Sequence, residues 1–154
     1  MMEGCLACDL SAGRRELPGG CIYVGRLWAV EHCISPLPVG TLICKPRRHC
    51  EHVWELTSEE AEELGPLLRR ATQVIQQLSQ PNQVYVCLWS HAGWQPGHIH
   101  FVLQPVWRAQ AEQHTQPGPL LQAELFAANQ APLAVEVALY ADQARALFAR
   151  SSQA

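Results

Sequence analysis

The chain carries little charge for its size, and no excess of positive charge. Charged residues make up 16% of its 154 positions and the formal net charge is -3. That removes the electrostatic case for binding nucleic acid or an anionic membrane surface. No apolar run approaches the length needed to cross a bilayer. The opening Met1-Met2-Glu3-Gly4-Cys5 has neither the basic nor the apolar region of a secretory leader, so a cytoplasmic protein is expected. Internal repeats and low-complexity segments are missing as well. What is present is a hydrophobic content of 48%, enough for a globular domain with a sizeable core.

Seven cysteines, at positions 5, 8, 21, 33, 44, 50 and 87, form an odd and scattered set. Several fall inside apparent strands, where a free thiol behaves as a small buried hydrophobe in a reducing compartment. The pair in Cys5-Leu6-Ala7-Cys8 is the exception, because two thiolates at this spacing can close on one tetrahedral zinc. With no second thiolate pair, the remaining ligands have to be histidines. His49 and His98 are candidates, and His52, three residues past His49, competes with it.

The alternation of apolar and polar residues predicts strands over 21–24, 27–33 and 40–45, after a loop-like first 20 residues. Thr57-Ser58-Glu59-Glu60 reads as a helix start, and Leu64, Leu67, Leu68, Ala71, Val74, Ile75 and Leu78 carry the helical period as far as Gln80. A strand over 84–89, a loop over 93–97 and a further strand complete an antiparallel meander crossed by one helix, an α+β arrangement. The Ala-rich stretches 119–130 and 132–150 predict two helices that pack back on the sheet or onto a second subunit. Residues 1–154 are thus expected to form one domain, with a core over about 5–106 and a helical extension over about 108–151.

The last strand, Gly97-His98-Ile99-His100-Phe101-Val102-Leu103-Gln104-Pro105, is the most informative stretch. Side chains alternate along a strand, so His98 and His100 share one face while Ile99, Phe101 and Leu103 fill the other. Lys45-Pro46-Arg47-Arg48-His49 gathers three cations and an imidazole at the end of another strand. Such a cluster suits a phosphate, although a charge run of this kind is more often a solvated turn.

Together these pieces resemble the histidine triad superfamily of nucleotide hydrolases and transferases, including its galactose-1-phosphate uridylyltransferase branch. The resemblance covers about residues 5–106. It rests on Cys5-x-x-Cys8, on Gly40 through His49, on Glu55-Leu56-Thr57 opening the helix, and on Gly93 through Pro105. With Pro105 closing the motif, His98 takes its first position, His100 the second and Val102 the third. The resemblance then implies that His100 is the nucleophile, with His98 beside it. It implies a structural zinc on Cys5, Cys8, His49 and His98. Read from the residues themselves, the loop can supply donors from Gly93, Trp94 and the Gln95 amide, His91 and Lys45 are candidates to meet a phosphate, and Gln104, two residues past Val102 on the same face, is the candidate substitute for a third histidine. The implied reaction is hydrolysis at the α-phosphorus of dinucleoside polyphosphates or nucleoside phosphoramidates, through a nucleotidyl-histidine, in a homodimer whose strands continue across the interface.

Four departures from the pattern bear on activity. Val102 stands where most members have a third histidine and the uridylyltransferase branch has glutamine, and a valine cannot hydrogen-bond to a phosphate. Gln95 replaces a frequent serine, Cys87 a frequent asparagine, and the usual Gly-His-Thr reads Gly40-Thr41. Transfer to a phosphate acceptor, or nucleotide binding without efficient turnover, are therefore the alternatives.

Overall fold

The computed structural model describes residues 2–92, 95–114 and 118–150, with only the backbone described at 91, 92, 95 and 96. The predicted Gly93 and Trp94 contacts lie outside the described residues, as do the side chains of His91 and Gln95. The elements run α1 (Leu6–Ser11), β1 (Cys21–Val24), β2 (Trp28–His32), β3 (Leu42–Pro46), a 3-10 turn (Val53–Glu55), α2 (Ser58–Ser79), β4 (Gln83–Ala92), β5 (Gln95–Val106), α3 (Arg108–Glu112), α4 (Pro119–Ala127) and α5 (Ala134–Arg150). The predicted α+β class holds.

All strand pairs are antiparallel, in the order β1-β2-β3-β5-β4. The predicted meander therefore holds only for the first three strands and the final hairpin. The chain crosses the sheet through α2, lays β4 at the edge, and returns β5 between β4 and β3. That insertion places the histidine strand in the interior of the sheet, beside the strand that leads to His49.

One face of the sheet carries Trp28, Val30, Leu42, Cys44 and Leu103, packed against Leu67, Ala71, Val74 and Ile75 of α2 and Tyr140, Ala141, Ala144 and Phe148 of α5. Burying such side chains contributes about 1.5–3 kcal/mol each. The start of α2 is fixed by a capping box: Thr57 Oγ1 accepts from Glu60 N–H, and Glu60 Oε2 accepts from Thr57 N–H. The helix runs unbroken through Pro66 and ends at Gln80, whose φ of 45° turns the chain before Pro81.

Two further expectations needed adjustment. The N-terminal segment is not all loop, because residues 6–11 form the short α1. Gln95, Pro96 and Gly97 belong to β5 rather than to a loop, so the hairpin is longer than its apolar alternation suggested. The tail contributes α5 to the core face, while α4 covers the opposite face, where Trp89 Nε1 donates to Gln122 Oε1 at 2.7 Å.

His32 lies on β2 at 1% exposure. Its Nδ1–H donates to Cys33 O, and its Nε2 accepts from Gly40 N–H. Burial pushes its pKa below the ordinary 6.5. The fold thus holds the neutral ring, and protons favour the unfolded chain. Stability is expected to be complete above pH 6.5 and to fall below it, at up to about 1.4 kcal/mol per pH unit for each such imidazole. Urea unfolding at pH 7.5 and 5 measures the drop, which should shrink in His32→Gln; an equal drop in that variant would acquit His32.

Candidate active site and metal centre

The sheet face opposite the core carries Glu31 of β2, Ile43 and Lys45 of β3, and His98, His100 and Val102 of β5. Register sets this grouping, because directly paired residues project to the same side: Glu31 pairs Ile43, Ile43 pairs Val102, and Trp89 pairs His100. Between His100 and Pro96, β5 advances four residues while β4 advances only two, from Trp89 to His91. In this excursion Ile99 N–H leaves the ladder and donates to Cys50 O at 2.9 Å. The strand thereby swings His98 toward the segment that carries His49.

Cys5, Cys8, His49 and His98 converge, with one donor atom from each lying within 4.8 Å of all the others. Cys8 Sγ is 3.6 Å from His49 Nδ1 and 3.5 Å from His98 Nδ1. Donors around a tetrahedral zinc are spaced about 3.4–3.8 Å apart, so these separations fit that ion. The outer nitrogens are occupied in the way metal-ligating histidines require. His98 Nε2–H donates to Pro46 O at 2.8 Å, and His49 Nε2 meets Glu51 Oε1 at 3.2 Å. Burial drives the His98 pKa down to about 4, so its ring is neutral and its Nδ1 lone pair is available. His52 is outside the cluster and stacks on Trp54 with ring centroids 4.3 Å apart.

His100 follows two residues on. Its Nδ1 lies 3.0 Å from His98 O, and a carbonyl only accepts, so the proton sits on Nδ1 and the lone pair on Nε2. Burial lowers its pKa, and the Lys45 charge lowers it further against the opposing hydrogen bond. The neutral, nucleophilic form is thus the resident one. His100 lines a cavity of about 760 Å³ together with Ser90, Gly97, His98, Trp89 and Phe126.

The cations predicted to meet a phosphate are engaged elsewhere. Lys45 Nζ donates to Glu31 Oε1 and to Ala7 O, at 0% exposure. Arg48 makes a two-pronged contact with Glu60, tying the His49 segment to the start of α2. Arg47 donates to Gly25 O. Among the described residues that line the cavity, Lys45 is the one cation apart from histidines, against the carboxylates of Glu3, Glu31 and Glu51.

Val102 is not an open gap in the motif. It is 2% exposed and packs with Cys33, Leu37, Ile43, Trp89 and Leu125. Gln104, predicted to substitute for the missing histidine, is fully buried, does not line the cavity, and its amide finds no partner among the described residues. Sequence reasoning missed Glu31 and Phe126. An acid directly after the apolar run Trp28-Ala29-Val30 was the available signal for the first; nothing in the Ala-rich tail marked the second.

No family model matches the sequence, and no curated protein matches it significantly. Solved structures do match. A hypothetical histidine triad nucleotide-binding protein from Sulfolobus tokodaii superposes with a TM-score of 0.72 at 14% identity, over 95% of this chain and 93% of that one. A zinc-bound histidine triad family protein from Mycobacterium smegmatis gives 0.68 at 14% identity, over 97% and 96%. A uridylyltransferase gives 0.67 at 21% identity, over 95% of this chain and 45% of its own. The fold is that of the histidine triad proteins, shared with the uridylyltransferase.

Proposed function

We propose that this chain is a member of the histidine triad superfamily that acts at the α-phosphorus of a nucleotide through a nucleotidyl-histidine on His100. The observation that carries this reading is the bond from His100 Nδ1–H to His98 O, which leaves Nε2 as the reacting nitrogen on the wall of the cavity. The Nε2 lone pair forms the bond to phosphorus, and the bond to the leaving group breaks with its electron pair. Water then adds its oxygen to phosphorus and releases a proton, the P–N bond breaks, and the imidazole is restored. A phosphate acceptor in place of water would make the protein a transferase.

Cys5, Cys8, His49 and His98 would hold zinc, which supplies a fixed crosslink between α1 and the sheet. Four protein donors leave no coordination position for chemistry. The reading includes a cytoplasmic homodimer. The packing of Val102 favours a second reading, a nucleotide-binding module with little turnover, because the third motif position donates no hydrogen bond to the phosphoryl group.

The charge around the cavity ranks the substrates. Three carboxylates against one paired ammonium disfavour a polyanionic leaving group. Turnover of adenosine 5′-phosphoramidate is therefore expected to exceed that of diadenosine tetraphosphate by about tenfold or more in kcat/KM, equivalent to about 1.4 kcal/mol. Steady-state rates on the two compounds check it, and an equal or faster polyphosphate rate would reverse the ranking.

A further inference from the structure

Lys45 is the single lysine of the chain, against ten arginines. It is spent where no solvent reaches it, at 0% exposure, between Glu31 Oε1 at 2.8 Å and Ala7 O at 2.9 Å. Burying an ammonium carries a desolvation cost that its partners have to offset, and a surface lysine carries none. Its partner is equally committed, since Glu31 is 3% exposed and its Oε2 has no partner among the described residues.

Ala7 lies between Cys5 and Cys8, in the first turn of α1. That helix has six residues, too few to be stable alone, and no side chain caps its N-terminus. Lys45 therefore grips the backbone of the thiol pair itself. The next residue, Pro46, offers the carbonyl that orients His98, and His49 follows three positions later. One short segment at the end of β3 thus sets all four converging donors: Cys5 and Cys8 through Lys45, His98 through Pro46, and His49 directly.

We infer that Lys45, held in place by Glu31, is a positioning residue of the metal centre, docking the thiol-bearing helix onto the strand that carries the imidazoles. This rests on the metal reading given above. Groups that orient ligands typically contribute about 10–100-fold to metal affinity, and the same range is expected here.

The test is zinc affinity of the full chain, measured by competition with a chromophoric chelator. Lys45→Met alone leaves Glu31 buried without a partner and risks the fold. The double variant Glu31→Leu/Lys45→Met removes both charges, a change that is often neutral or stabilising. The metal-free melting temperature is expected to stay near that of wild type while zinc binds about 10–100-fold more weakly. Cys5 and Cys8 should also react faster with a thiol reagent in the metal-free variant. Wild-type zinc affinity in the double variant would overturn the inference while leaving the metal centre intact. A wild-type chain that takes up no zinc would remove the metal centre, and the inference with it.

Discussion

Replacing His100 with alanine is expected to lower turnover of adenosine 5′-phosphoramidate by at least about 10³-fold, the scale seen when an enzyme loses the group that forms its covalent bond. The size follows from the role. In the proposed reaction the imidazole supplies the nitrogen that bonds phosphorus, and these described neighbours offer no replacement: Val102 is apolar, His98 has Nε2 committed to Pro46 O and Nδ1 turned to Cys8, and Lys45 is paired with Glu31. Binding should survive, because the cavity walls are otherwise intact, so the dissociation constant of AMP is expected to move little. Loss of the half-buried ring and its bond to His98 O costs about 1–2 kcal/mol, or a few degrees of melting temperature at this chain length. Activity and binding measured on one preparation separate the two readings of the site. Equal slow rates in wild type and variant would leave only the binding module.

Stripping the metal is expected to have the largest effect on stability. At free zinc a thousandfold above its dissociation constant, binding contributes about 4 kcal/mol to the folded state. For a domain of this size that corresponds to a fall of about 10 °C in melting temperature on chelation. Cys8→Ser should behave like the stripped protein and respond to neither zinc nor chelator, because Cys8 Sγ is the atom that both histidines approach. The loss should begin at the N-terminus, where α1 is otherwise anchored through the Lys45 bond to Ala7 O and its buried Cys8 and Leu10. Limited proteolysis would then cut within the first 20 residues before the sheet. A melting temperature indifferent to chelator would contradict a bound structural ion.

Local features of the fold were legible because local physics writes them. The alternation from His98 to Leu103 set the strand and its faces, and the Thr57 hydroxyl ahead of Glu59 and Glu60 announced the start of α2, which the structure closes with a capping box. The order of strands was not legible. Nothing in residues 83–106 says that β5 must return inside β4, since that choice depends on which face α2 covers. Lys45 misled for a related reason. Followed by Pro46, Arg47 and Arg48 it reads as part of an exposed basic turn, and its partner Glu31 is fourteen positions away on the neighbouring strand. Val102 looked like a missing catalytic group. The structure gives it a different occupation, as the packing partner of Ile43, Trp89 and Leu125 under α4, a helix whose position an Ala-rich sequence does not reveal. Cys5, Cys8, His49 and His98 were nameable from the motif order, and they converge where β5 steps out of its ladder at Ile99.

Bond formation between His100 and phosphorus is read out by intact-protein mass spectrometry after rapid acid-free quenching with adenosine 5′-phosphoramidate. An added adenylyl mass is expected in wild type, mapped by peptide analysis to the segment containing His100 and missing in His100→Ala. An adduct on another residue, or product release with no adduct at any quench time and no loss of rate in His100→Ala, would contradict it.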